Sequence, residues 1–213
     1  MDERGENAVG LASAMLVLGL ASCLLLASCG NPLGTPRARA GRCSVGIVGD
    51  SLLVGARDLG DLKARLYDDV CSITAIDGKV GRPSSAGASI VENWASSGSL
   101  PAILVVELGT NDCSASVFEQ NARRILKAAG SERPIVWVNT WRAGCDTAIN
   151  GVLDRLRYEG RSRSDGGRLW TVDDHDWITA HRQYLGGDGI HLTAAGYRAY
   201  AQRMVDALGI RRR

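Results

Sequence analysis

Residues 102–108 read AILVVEL, an apolar run broken only by a glutamate and with no polar alternation. Such a run fits a strand covered on both faces rather than one half-exposed to water. Four further short apolar runs, at 44–48, 72–76, 135–139 and 169–172, complete a set of five predicted strands. Segments of helical spacing separate them. Leu59, Leu62 and Leu66 mark one over 59–66, a shorter one covers 89–95, and Phe118, Ala122, Ile125, Leu126 and Ala129 mark 117–129. Ile149, Val152, Leu153 and Leu156 mark 148–158, and 193–208 opens on Thr193 as an N-cap and stops at Gly209. Strands that alternate with helices build βαβ units with right-handed crossovers. The expected fold class is therefore α/β, a three-layer α/β/α domain on a five-stranded parallel sheet.

The Gly-rich segments fall directly after strands: Gly49-Asp50-Ser51 after the first, 78–87 after the second, and Gly109-Thr110-Asn111-Asp112 after the third. Open parallel sheets bind ligands beyond the carboxyl ends of their strands, so these three turns converge on one site. Lys+Arg number 25 against 23 Asp+Glu, a net charge of +2 that gives no electrostatic reason to invoke nucleic acid.

The first 42 residues stand apart from this pattern. No charge occurs between Asn7 and Pro36, and 8–26 is almost entirely Ala, Leu, Val, Gly and Met. The run ends in Leu26-Ala27-Ser28-Cys29-Gly30, which resembles a bacterial lipoprotein signal whose Cys29 thiol accepts the lipid, although residues 1–6 are acidic where such signals are basic. An uncleaved N-terminal membrane helix and a plain secretory signal remain open. The expected organisation is a signal or anchor at 1–28, a flexible tether at 29–42 rich in Pro and Arg, and the catalytic domain at 43–213. All three readings place that domain outside the cytoplasm, with the membrane as a partner through a lipid anchor or an N-terminal helix.

Ser51 occupies a strand-to-helix turn, exposed at the top of the sheet beside a helix N-terminus whose dipole favours a developing anion. Only three histidines could serve it as base: His175, His181 and His191. His191 lies in Asp188-Gly189-Ile190-His191 just before the last helix, so one turn can present an imidazole and the carboxylate that orients it. Asn111 can supply a side-chain N–H to an oxyanion, and Gly81 and Ser51 backbone N–H groups. His175, in Asp173-Asp174-His175-Asp176, resembles a metal cluster but lacks matching ligands elsewhere and is expected on a solvated loop; His181 is expected at the surface.

Gly49-Asp50-Ser51, Gly81, Gly109-Thr110-Asn111-Asp112 and Asp188-x-x-His191, in this order, resemble the four blocks of the SGNH (GDSL-type) hydrolase family over about residues 45–207. The resemblance implies a flavodoxin-like sheet of order 2-1-3-4-5. It implies Ser51 as nucleophile, His191 as base, Asp188 as its orienter, and Ser51 N–H, Gly81 and Asn111 as the oxyanion hole. Two features separate the chain from plant-type lipases: the first block reads GDSLLVG, and Asp77-Gly78-Lys79-Val80-Gly81-Arg82 is closer to the form in bacterial envelope esterases and in SGNH domains fused to membrane acyltransferases. Bland readings exist for each residue. Gly81 could be a turn glycine with Gly78 the donor, Asn111 a helix cap, and Asp188 an ordinary turn aspartate. Arg82 and Arg142, near the site by topology, are candidates for binding a substrate hydroxyl or carboxylate.

The function this predicts is a serine esterase acting on short acyl esters, acetyl foremost, of a small acylated substrate or an acylated glycan of the envelope. No cofactor and no metal is called for. The alternative is an O-acyltransferase using the same acyl-serine, and a non-catalytic binding lipoprotein is the third reading.

Apart from Cys23 and Cys29, the chain holds Cys43, Cys71, Cys113 and Cys145, with no C-x-x-C pair and no Cys/His cluster to suggest zinc. Cys43 and Cys71 stand at the amino ends of the first two strands, which as parallel neighbours would lie about 4.8 Å apart, within disulfide reach. Cys113 and Cys145 belong to loops at the carboxyl end. Cross-pairing would span the sheet, so Cys43–Cys71 and Cys113–Cys145 are expected.

Overall fold

The computed structural model describes residues 43–66, 71–161 and 169–209; the leader, Cys29 and the tether lie outside the described residues. Five strands, β1 (Cys43–Gly49), β2 (Cys71–Gly78), β3 (Ile103–Glu107), β4 (Ile135–Val138) and β5 (Leu169–Val172), form one parallel sheet. Their order is β2-β1-β3-β4-β5. The chain leaves β1 for β2 on one side and later returns to place β3 on the other. That reversal opens the crevice at the carboxyl ends of β1 and β3.

Among the described residues, seven α-helices accompany the sheet: α1 (Ser51–Asp58), α2 (Leu62–Leu66), α3 (Ser84–Ser96), α4 (Ala115–Ala129), α5 (Asp146–Arg161), α6 (Asp174–Ala180) and α7 (Ala194–Ala207). Side chains of successive strand residues point to opposite faces. Accordingly Ile103 and Val105 of β3, with Val136 and Val138 of β4, join a core with Leu52, Leu66, Ile178 and Tyr200 from α1, α2, α6 and α7. Leu104, Val106, Ile135 and Trp137 join the other core with Val91, Phe118 and Ile149 from α3, α4 and α5. Every residue of β3 is buried, which is why its sequence is continuous rather than alternating.

Three helices differ from their sequence reading. The segment expected as one helix over 59–66 is two: Asp50 caps α1 from Ser51, and a break at Leu59–Asp61, with Asp61 at φ 54°, precedes α2. Leu59 is exposed, so the Leu59–Leu62–Leu66 spacing was not one buried face. The helix expected at 89–95 begins at Ser84 behind Pro83. The segment around His175, expected as a solvated loop, is α6, capped by the Asp173 side chain accepting from the Asp176 N–H.

Strand register pairs Cys43 with Cys71 at the amino end of the β1–β2 ladder; the side chains of these two cysteines, and so the expected bond between them, lie outside what the structure describes. Cys113 and Cys145 form a disulfide with their Cα atoms 4.8 Å apart.

Candidate active site

The Gly49–Ser51 turn is shaped by a close approach. A side chain at Gly49 would place its Cβ 2.7 Å from Glu107 Oε2 and 2.6 Å from the Leu53 Cβ, so only glycine lets β1 pass into α1 here. Asp50 then caps α1, its Oδ1 accepting from the Leu52 N–H at 3.0 Å. Glu107 Oε2 accepts from the N–H groups of Asp50 and Leu53, both at 3.0 Å. Ser51 is thus the first helical residue, with a main-chain N–H that donates to no acceptor among the described residues.

Across the crevice, the turn before α7 folds back on itself. Gly186 N–H donates to His191 O at 2.6 Å, Leu185 bridges Leu192, and Trp141 Nε1–H donates to Gly189 O at 3.0 Å. Asp188 Oδ1 accepts from the N–H groups of Ile190 and His191 at 3.0 and 2.9 Å. Its Oδ2 lies 2.6 Å from His191 Nδ1, and His191 Nε2 lies 2.9 Å from Ser51 Oγ. The His191 hydrogen bond, followed by the two backbone N–H groups, holds the Asp188 carboxyl well below the usual carboxylate range. An ionised carboxylate only accepts, so His191 carries its proton on Nδ1 and leaves Nε2 to accept from the Ser51 hydroxyl. The structure therefore brings Ser51, His191 and Asp188 into one hydrogen-bonded chain. The Asp188 and His191 side chains are 52% and 43% exposed, so a bulky substrate can reach this end of the site.

The loop after β3 supplies the facing wall. Asp112 accepts from Ser84 N–H at 3.0 Å and Ser84 Oγ at 2.7 Å, tying the loop to the start of α3. Asn121 Nδ2 donates to the same Ser84 hydroxyl. Thr110 and Thr140 share a hydrogen bond at 2.7 Å, and the Cys113–Cys145 bond clamps the loop to the one after β4. Asn111 Nδ2, so held, donates weakly to Arg82 O at 3.3 Å. Gly81 sits in the turn closed by Arg82 N–H to Lys79 O, at φ 69° with open space around it. Gly78, the rival donor, lies instead at the end of the β1–β2 ladder opposite Gly49.

Arg82 is turned into the fold. It is 5% exposed; its guanidinium pairs with Asp77 Oδ1 at 2.6 Å and donates to the carbonyls of Asp77 and Gly49, which makes it a brace between β1 and β2. Arg142 is half-buried and donates through Nη1 to Thr110 O at 2.5 Å, beside Asn111. His175 packs on Trp141 at 5.4 Å between ring centroids, with Nδ1 2.9 Å from Asp176 and Nε2 3.4 Å from Asp146. It shores up the loop after β4. His181 stacks on Trp177 and Tyr184. Among the described residues no cluster of three or more His, Cys, Asp or Glu could hold a metal ion.

Four supporting residues escape sequence reading: Glu107, Ser84, Asn121 and Trp141. Glu107 alone left a signal, as the one charge inside an otherwise apolar run. The other three act through partners distant in sequence, which no local spacing announces.

The strand order is that of the SGNH hydrolase fold, and the Ser–His–Asp geometry and the ordered motifs resemble those of that family. A comparison with models of protein families finds no match. Among solved structures, the chain is similar to the C-terminal catalytic domain of Streptococcus pneumoniae peptidoglycan O-acetyltransferase A (TM-score 0.63, 17% identity, 79% of this chain and 93% of that one). It also resembles a Clostridium thermocellum family 3 carbohydrate esterase (TM-score 0.61, 16% identity, 78% and 94%). In sequence it is 25% identical over 166 residues to a putative peptidoglycan O-acetyltransferase, YrhL, of Bacillus subtilis. It is 28% identical over 166 residues to the O-acetyltransferase OatA of Staphylococcus aureus. Each alignment covers 76% of this chain, which spans only about a quarter of the length of either relative.

Proposed function

We propose that this chain is a serine esterase that removes acetyl groups from an acylated glycan of the cell envelope. The observation that carries this reading is the Ser51–His191–Asp188 hydrogen-bonded chain. Ser51 Oγ attacks the ester carbonyl carbon while its proton passes to His191 Nε2. The resulting oxyanion is met by the free N–H of Ser51, the N–H of Gly81 and Asn111 Nδ2. Collapse breaks the C–O bond to the sugar, and the leaving oxygen takes the proton from His191. Water then attacks the acyl-serine, gives a proton to His191, and releases acetate as Ser51 recovers its hydrogen. Asp188 stays ionised throughout, orienting the ring and stabilising the imidazolium.

A second reading is favoured by the sequence relatives, whose names describe O-acetyltransferases. In transfer, a glycan hydroxyl replaces water in the second half, with the same proton traffic. Arg142, beside the Asn111 loop, is the remaining candidate to bind a sugar hydroxyl or carboxylate. An envelope location is supported by the apolar leader and by Cys29 as lipidation site; among the described residues no helix is long and apolar enough to cross a membrane. The test is to incubate the full chain with p-nitrophenyl acetate and a chito-oligosaccharide acceptor, then quantify free acetate and acetylated glycan. Release of acetate alone supports the esterase, acetyl-glycan formation the transferase. Neither product, with folded protein, overturns both.

A further inference from the structure

Directly beneath the nucleophile lie two buried carboxyls. Glu107 is 3% exposed and Asp50 fully buried. Glu107 Oε2 is spent on the N–H groups of Asp50 and Leu53, and Asp50 Oδ1 on that of Leu52. Asp50 Oδ2 is buried and forms no well-aligned hydrogen bond. It is an orphan only while both groups are carboxylates, since two ionised carboxyls set acceptor against acceptor and charge against charge in a water-poor site.

Among the described residues no cation is ion-paired with either carboxyl. Arg82, which reaches the neighbouring Gly49 carbonyl, is committed to that oxygen and to Asp77. α7 brings the phenols Tyr197 and Tyr200 toward the pair, and burial pushes both further above the usual phenol range. The loop after β3 brings the neutral donors Thr110 and Asn111 to Asp50, which favour its ionised form and so leave the shared proton to Glu107.

We infer that Glu107 is a carboxylic acid at neutral pH, donating its proton to Asp50 Oδ2, and that this acid–carboxylate pair positions Ser51. One proton satisfies the orphan oxygen. It also leaves a single negative charge at the N-terminus of α1, where the helix dipole stabilises it. Burial pushes both groups up, Asp50 to about 6, and for Glu107 the neighbouring Asp50 charge acts in the same direction. The pair ties down the N–H groups of Leu52 and Leu53, fixing the first turn of α1 and leaving that of Ser51 for the oxyanion. Glu107 touches no substrate and its proton stays in place; it is a positioning residue. The positioning half of this inference rests on the serine mechanism proposed above, whereas the protonation half does not.

The two halves are tested separately on the full chain. A group whose native pKa is raised binds its proton more tightly when folded, so its contribution to stability falls as pH rises from the unfolded pKa towards the native one. Glu107→Gln keeps the donor and both acceptor bonds without titrating. Its Tm advantage over wild type therefore widens between pH 6 and 8, by about 3–5 °C per pH unit. A gap independent of pH over that range overturns the protonated Glu107. For the positioning role, Glu107→Ala lowers kcat on p-nitrophenyl acetate by about tenfold or more with little change in KM, and Glu107→Gln restores it to within about threefold of wild type. A Gln variant that folds but turns over more than tenfold slower than wild type overturns positioning, whether or not the Ala variant folds. Ser51→Ala is the control: if it keeps turnover, the serine mechanism fails while the Tm comparison still decides the proton.

Discussion

Replacing Cys113 and Cys145 together by serine tests how the Asn111 loop is held. The bond closes a loop of 32 residues, for which chain entropy alone gives about 3.5–4 kcal/mol of stabilisation. For a chain of this size that corresponds to a Tm loss of roughly 7–15 °C. The native loop does not lose every restraint. Asp112 remains bound to Ser84, Thr110 to Thr140, and Arg142 to Thr110 O. Asn111, two residues from Cys113, therefore drifts rather than detaches. Turnover of an acetyl ester at 25 °C falls about tenfold, short of the ~10²–10³-fold cost of deleting an oxyanion donor. Substitution is preferable to a reductant, because Cys43 and Cys71 stand opposite one another in register and could respond too. The assay pairs thermal melts with initial rates on the full chain. A Tm loss under about 2 °C would refute the entropic argument, and a full Tm loss with unchanged rates would refute the coupling of the bond to Asn111.

Four substitutions probe the rest of the site by steady-state kinetics. Ser51→Ala and His191→Ala each lower kcat by roughly 10⁴–10⁶-fold and the double variant little further, because the groups act as one unit; additive losses would contradict this. Asn111→Ala costs about 3 kcal/mol of transition-state stabilisation, or ~10²-fold in kcat, with only a small change in Tm because its hydrogen bond to Arg82 O is long. Asp188→Asn loses somewhat less activity than His191→Ala. Because the native Asp188 carboxyl is held below its ordinary value, its stabilising effect is complete above about pH 4 and fades as pH falls further. The Tm gap between wild type and Asp188→Asn should close on acidification; a gap that grows instead contradicts the assignment.

The middle of the sheet was legible because β1, β3 and β4 are buried on both faces, which gives 102–108 its unbroken apolar run, whereas the edge strands β2 and β5 are only partly covered. α4 and α5 carried buried stripes at helical spacing, and α7 was marked by its Thr193 cap and the glycine after it. α6 was not legible, since it buries only Asp174 and Ile178 and starts from a polar Asp-Asp-His-Asp sequence. Ser51, Asp188 and His191 could be placed because a strand-end turn and a pre-helix turn each carry their residues within a few positions. What braces them could not. Trp141 supports the Asp188–His191 turn from 48 residues away, and Ser84 holds Asp112 from 28 away. Arg82 shows the converse: its closeness to the site was readable, but the direction of its guanidinium was set by Asp77 and two carbonyls that only the folded backbone brings together.

The central claim is that Ser51 is the nucleophile and His191 its base. The most direct measurement is to react the folded full chain with a fluorophosphonate and locate the adduct by peptide mass spectrometry, alongside His191→Ala. The account predicts a single adduct on Ser51, formed at least about 10²-fold more slowly without the imidazole base. An adduct on another residue, or none at all from protein that turns over acetyl esters, would contradict it.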